Sequence, residues 1–145
     1  MKNYFIIYIL SFYFLSNISW GQNILEEKLI YRGNLAFHQE IDEPVTGIVI
    51  SKYETGETKE KGEYVDGLRE FEWKEFHQNG TVKSTINYKN GFKEGPFEIY
   101  FEDGKIKALG NYVKGLEDGN WQEFSNEGNF LYIGNYNQGN LNGRW

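Results

Sequence analysis

The stretch YKNGFKEGPFEIYFEDGKIKALGNYVKGLEDGNW, Tyr88 to Trp121, says nearly the same thing twice. YKNGFKEGPF from Tyr88 returns 24 positions later as YVKGLEDGNW from Tyr112, with the tyrosine, both glycines and the aromatic aligned. A fixed period of this size marks a repeat architecture, and the same step recurs along the chain. Gly56, Gly80, Gly104 and Gly128 align; so do Tyr64, Tyr88, Tyr112 and Tyr136, and Gly67, Gly91, Gly115 and Gly139. An aromatic column runs Trp73, Phe97, Trp121, Trp145, followed three residues later by Phe76, Tyr100 and Phe124. A further glycine column, Gly47, Gly95, Gly119, Gly143, is broken by Phe71. A phenylalanine is strained where φ must be positive, so the loop VDGLREF is expected to differ in shape from its siblings.

Between the glycines the residues alternate. Val82, Ser84, Ile86 and Tyr88 oppose Lys83, Thr85 and Asn87; Ile106, Ala108, Gly110 and Tyr112 oppose Lys107, Leu109 and Asn111. Period two is the strand signal. Asn79-Gly80 and Asp103-Gly104 carry the residues that two-residue hairpin turns require, so each unit reads as a hairpin. Gly62, Gly110 and Gly134 leave room on the tyrosine-bearing face for a large ring from the next strand, and the tryptophan column is the expected occupant. No stretch after the N-terminal segment reads as a helix long enough to cover the sheet. The fold class is all-β: an elongated single-layer antiparallel meander of stacked hairpins, an open, solenoid-like sheet.

Residues 1–21 read separately. Lys2, the apolar run from Tyr4 to Leu15, and small residues at Ser19 and Gly21 form the three parts of a secretory signal peptide. The run is short for a spanning helix, which needs roughly 20 residues, although retention as an anchor is the alternative. Residues 22–46 form an opening segment with a first hairpin. The repeats occupy 47–145 as 47–70, 71–94, 95–118, 119–142 and a partial 143–145. The expected localisation is secreted, periplasmic or outer envelope, with no membrane span after cleavage.

GNYVKGLEDGNWQEFSNEG, from Gly110, resembles the MORN repeat in its bacterial variant, G-x-Y-x-x-G-x-x-x-G-x-W-x-x-F/Y-x-x-x-G. EPVTG at Glu43 to Gly47, with YETGETKEKGEYVDG after it, resembles the first unit of the variant-repeat proteins labelled YwqK-like antitoxins. The resemblance spans roughly Tyr31 to Trp145 and implies hairpins stacked side by side without a closed core.

The chemical inventory favours binding over catalysis. The chain has no cysteine, so thiolate nucleophiles, disulfides and cysteine zinc sites are excluded. Its two histidines, His38 and His77, are far apart in sequence, and a metal needs companions. Ser51, Ser84 and Ser125 lack a nucleophile-elbow context. Glu70, Glu72 and Glu75 read as a solvated face, not an acid/base cluster. Asp103-Gly104 and Asp118-Gly119 read as turns lacking the oxygen count of a calcium loop. Asn79-Gly80-Thr81 fits a glycosylation sequon but is explained by the turn. A net charge of −6 with dispersed lysines speaks against nucleic acid and against anionic membranes.

These readings predict no enzyme activity, no catalytic residue, no cofactor and no metal. They predict a protein partner, not identified by the sequence, for an envelope interaction scaffold. The alternatives are an antitoxin or immunity protein acting by direct binding, and carbohydrate binding through ring platforms. An open terminal strand edge also allows end-to-end self-association.

Overall fold

The structure, a computed structural model, describes residues 23–142. The signal-peptide reading, together with Gly143 and Trp145, lies outside the described residues. In chain order the strands are β1 (Ile24–Leu25), β2 (Leu29–Arg32), β3 (Leu35–His38), β4 (Gly47–Lys52), β5 (Thr58–Val65), β6 (Leu68–Phe76) and β7 (Val82–Lys89). They continue with β8 (Phe92–Tyr100), β9 (Ile106–Val113), β10 (Leu116–Glu117), β11 (Gly119–Phe124), β12 (Phe130–Asn137) and β13 (Asn140–Leu141). Among the described residues the one helical element is a 3-10 turn, Glu26–Lys28.

From β4 to β13 each strand pairs antiparallel with its neighbours in sequence, β10 being a side branch on β9, and the sheet does not close. β1 joins parallel to β4, and β2 and β3 form a separate small hairpin. This hairpin caps the first repeat through a closed set of backbone bonds: Ala36 N–H donates to Gly67 O, Gly67 N–H to Val45 O, and Val45 N–H to Ala36 O. Leu29, Ala36, Val45, Val49, Tyr64 and Trp73 are buried together beneath it. The first ring pair is thereby shielded from water, as a terminal cap of a repeat stack must do.

Two kinds of turn alternate. At Asp66-Gly67, Asn90-Gly91, Lys114-Gly115 and Gln138-Gly139 both residues have positive φ, near 50° and then 77–85°. Val65 faces Leu68, Lys89 faces Phe92, Val113 faces Leu116 and Asn137 faces Asn140 across them. These are the two-residue turns, and their hand matches the sheet twist. Asn79-Gly80 and Asp103-Gly104 are different, which corrects the sequence reading. Gly80 and Gly104 have positive φ but Asn79 and Asp103 do not. His77 N–H bonds Thr81 O while Gly80 N–H bonds His77 O, giving a three-residue loop with a glycine bulge.

Phe71 is the second correction. Its φ is 60°, beside 86° at Gly95 and 75° at Gly119, whereas Gly47 in the first unit stands at 138°, so the loop keeps the shape of the two that follow it. The register agrees, since Phe71 pairs with Tyr88 just as Gly47 pairs with Tyr64, Gly95 with Tyr112 and Gly119 with Tyr136. A Cβ placed at Gly95 or Gly119 would meet nothing within 4 Å. Only the backbone torsion resists a side chain there, and the Phe71 ring projects outward, 58% exposed.

Candidate interaction surface

The two faces of the sheet are built on different principles. On one, rings run across the strands. Tyr64 meets Trp73 at 5.1 Å with planes 87° apart, and Trp73 meets Tyr88 at 6.1 Å. Phe97 packs on Tyr112 at 5.0 Å and Trp121 at 4.5 Å, and Trp121 on Tyr136 at 5.9 Å. Such pairs contribute about 0.5–1.5 kcal/mol each beyond buried area. Tyr64, Trp73, Phe97 and Tyr112 are buried; Tyr88, Trp121 and Tyr136 are half-buried. The Trp73 indole N–H is satisfied by Glu63 O and Glu70 O, both at 3.2 Å.

The glycine notches hold these rings, with one difference from expectation. A Cβ at Gly62 would lie 2.0 Å from the Trp73 ring, and one at Gly110 would lie 2.6 Å from Phe97 and 3.2 Å from Trp121. Gly134 is instead overlaid by Tyr132 and Leu141. The ring expected there by period, Trp145, is outside the described residues. Phe76, Tyr100 and Phe124 stand at the far ends of β6, β8 and β11, each beside a register shift. Phe124 packs on Phe130 at 5.7 Å, and the Tyr100 hydroxyl donates to Glu98, whose carboxylate raises that phenol's pKa.

Several contributors were not foreseen. The Arg69 guanidinium lies 3.9 Å above the Trp73 ring and 5.4 Å from Tyr88, and binds Glu60 through two bonds of 2.9 and 3.0 Å. Burial opposes its charge, but Glu60 and Tyr64 together more than offset this and its pKa is raised. Lys93 caps Tyr112 at 4.7 Å. At the two-residue turns Thr46, Glu70 and Glu94 accept the N–H of Asp66, Asn90 and Lys114. Stepping the period through polar positions finds this column, because 46, 70 and 94 are 24 apart. Glu70 is therefore a turn cap and Glu72 pairs with Lys74 at 2.9 Å, so neither is merely solvated. At the other end the Tyr53 hydroxyl donates to Phe76 O, and His77 Nε2 bonds Tyr100 O, tying each loop to the next unit.

The opposite face is read from one rung of cross-strand partners. Ile50, Lys61, Lys74, Thr85, Glu98, Leu109, Gln122 and Ile133 each pair with the next, and cross-strand partners share a face. At positions one period apart no residue recurs: Ile50, Lys74, Glu98 and Gln122 form one column, and Lys61, Thr85, Leu109 and Ile133 the other. Near its start Ile48, Phe71, Lys61, Glu63, Glu72 and Lys74 line a shallow groove of about 300 Å3. Among the described residues no group of three or more metal-ligating side chains converges, and no helix is long and apolar enough to cross a membrane.

With this geometry in view, residues 69–90 and 93–114 each match the MORN repeat variant family. The matched segments run from β6 to the two-residue turn after β7, and from β8 to the turn after β9. MORN repeats in general are protein- and membrane-interaction modules. No curated protein matches the chain. No solved structure matches it.

Proposed function

We infer that this protein is a non-enzymatic interaction module whose binding surface is the outward rung from Lys61 to Ile133. One observation carries the reading. The ring face is uniform from unit to unit and spent on packing, whereas the outer rung differs in every unit. A surface that varies along a rigid ladder presents a distinct pattern for a partner protein to recognise. Leu109 and the exposed Ile133 supply the apolar anchor at one end, and the Lys61 end supplies charge.

The leader motif at residues 1–21 supports export and an envelope location for this module. The antitoxin or immunity reading rests on the resemblance of the first unit, and with that leader it requires a toxin met outside the cytoplasm. Along the ring row, sugar binding would have to rest on the half-buried Tyr88, Trp121 and Tyr136, because Tyr64, Trp73, Phe97 and Tyr112 are buried. The test is photo-crosslinking from Leu109 in envelope extract, repeated with Ile133→Glu. The account expects one dominant protein adduct, weakened by the charge. Retention of polysaccharide alone, or an adduct indifferent to Ile133→Glu, would contradict it. A tight one-to-one complex with a toxic protein selects the immunity reading.

A further inference from the structure

Two unfavourable features converge on the groove at the start of the outer face. Phe71 holds a left-handed backbone where its siblings have glycine and exposes its ring, although nothing in the packing requires a side chain there. Strain of this kind persists where a function uses it. Beside it Lys61 stands directly across from Lys74, a destabilising like-charge pair. Lys74 is paired to Glu72, whereas the Lys61 ammonium and the Glu63 carboxylate have no ion-pair partner among the described residues. Partly exposed Ile48 lies across from Glu63, and Ile50 across from Lys61.

The charges are not mixed at random. Along β5 and β6 the two lysines form one end of the groove, the two glutamates the other, and Gly62 lies between. A patch with one pair of each sign at its ends, and an isoleucine beside each pair, is self-complementary under a two-fold axis. We propose that this groove is a homodimer contact and that its occupant is a second copy of the same groove. The axis lies between the two facing sheets and runs across the strands at the level of Gly62. Strand direction is then reversed in the second copy. Lys61 and Lys74 face Glu63 and Glu72 of the second copy, Ile48 packs against Ile50, and each Phe71 ring covers the aliphatic stem of the opposing Lys74. Both unfavourable features are offset: the lysine pair gains carboxylates, and burial of the ring compensates the backbone strain that remains at Phe71. This goes beyond binding along the outer rung: the second copy covers the Lys61–Lys74 end and leaves Thr85 to Ile133 for a partner, so the Leu109 and Ile133 experiment tests partner binding separately from the dimer.

The experiment is sedimentation velocity of the full chain up to about 300 µM, a range that detects even weak association. Lys61→Glu and Glu63→Lys are studied alone and mixed, with Phe71→Gly alongside. The wild type is expected to dimerise, less so at high salt. Each charge variant alone should associate at least tenfold more weakly, and the equimolar mixture should recover a heterodimer, because each supplies the sign the other lacks. Phe71→Gly should weaken association while raising the melting temperature, a combination that a merely damaged fold cannot give. A wild type that stays monomeric, variants that dimerise like wild type, or a mixture that fails to recover association would each overturn the proposal.

Discussion

At Phe71 backbone torsion and side-chain exposure act in the same direction: a φ of 60° strains the chain, and a ring 58% exposed returns little burial to offset it. Strain at such a site is of order 1–3 kcal/mol, against roughly 0.5–1 kcal/mol for the extra freedom glycine adds to the unfolded chain. Phe71→Gly should therefore stabilise the protein by about 1 kcal/mol in urea denaturation, within a range of roughly 0 to 2.5 set by the two opposing effects; a loss of stability would mean that the ring packs in a way the structure does not contain. Gly62 is the reverse case, since its φ is ordinary and space is the constraint, with a Cβ 2.0 Å from the Trp73 indole. Gly62→Ala should cost about 1–3 kcal/mol through displacement of that ring, whereas an unchanged denaturation midpoint would place Trp73 elsewhere. The sequence disclosed the Gly62 notch because a small residue aligned with a large one. It misled at Phe71, where a residue's intrinsic preference suggested a different loop although the two-residue turn and the paired Tyr88 impose the bulge from both sides.

At the level of the hairpin, the period of 24 and the strand alternation were legible, and the all-β stack of hairpins follows from them. The assignment of turn types was not. Both kinds of turn place glycine in the left-handed region, and the one that also demands it of the preceding residue uses Lys114 and Gln138, which have no preference for it. Register across the turn decides the conformation, with Glu94 accepting the Lys114 N–H in support. Tyr112 offers a test of the ring row through pH. Burial, and after it the Glu117 carboxylate, raises its pKa. The folded phenol thus holds its proton more tightly than the unfolded one, which ionises near pH 10. Native stability is full below about pH 10 and is lost as pH rises through the higher folded value. Tyr112→Phe should reduce that alkaline loss, seen as a shallower fall of the urea midpoint between about pH 9 and 11. An identical fall in the variant would mean that Tyr112 is not the buried group responsible.

From β4 to β13 the strands pair with their neighbours in sequence, and the small β2–β3 hairpin shields the first end. Stability should then add up unit by unit. Removing residues 71–94, which joins Glu70 to Gly95 in the same phase, should leave a folded protein with a smaller denaturant m-value, read by circular dichroism. Removing 12 residues instead should abolish folding, because it shifts the outer-face column Lys74, Glu98 and Gln122 into phase with the ring notches Gly62, Gly110 and Gly134. The β2–β3 cap occurs once and so was invisible to periodicity. Arg69 and Lys93 are one period apart, but Glu117 follows them in the same column, so the alignment did not mark a cation lid, and only the register brings the two over Trp73 and Tyr112. The central claim is that every unit, including the one carrying Phe71, has the same register. Cross-strand nuclear Overhauser contacts in the labelled protein test it most directly. The account predicts them for all four pairs, Gly47 with Tyr64, Phe71 with Tyr88, Gly95 with Tyr112 and Gly119 with Tyr136. Contacts at three pairs with Phe71 facing a different residue, or helical contacts anywhere between 47 and 137, would contradict it.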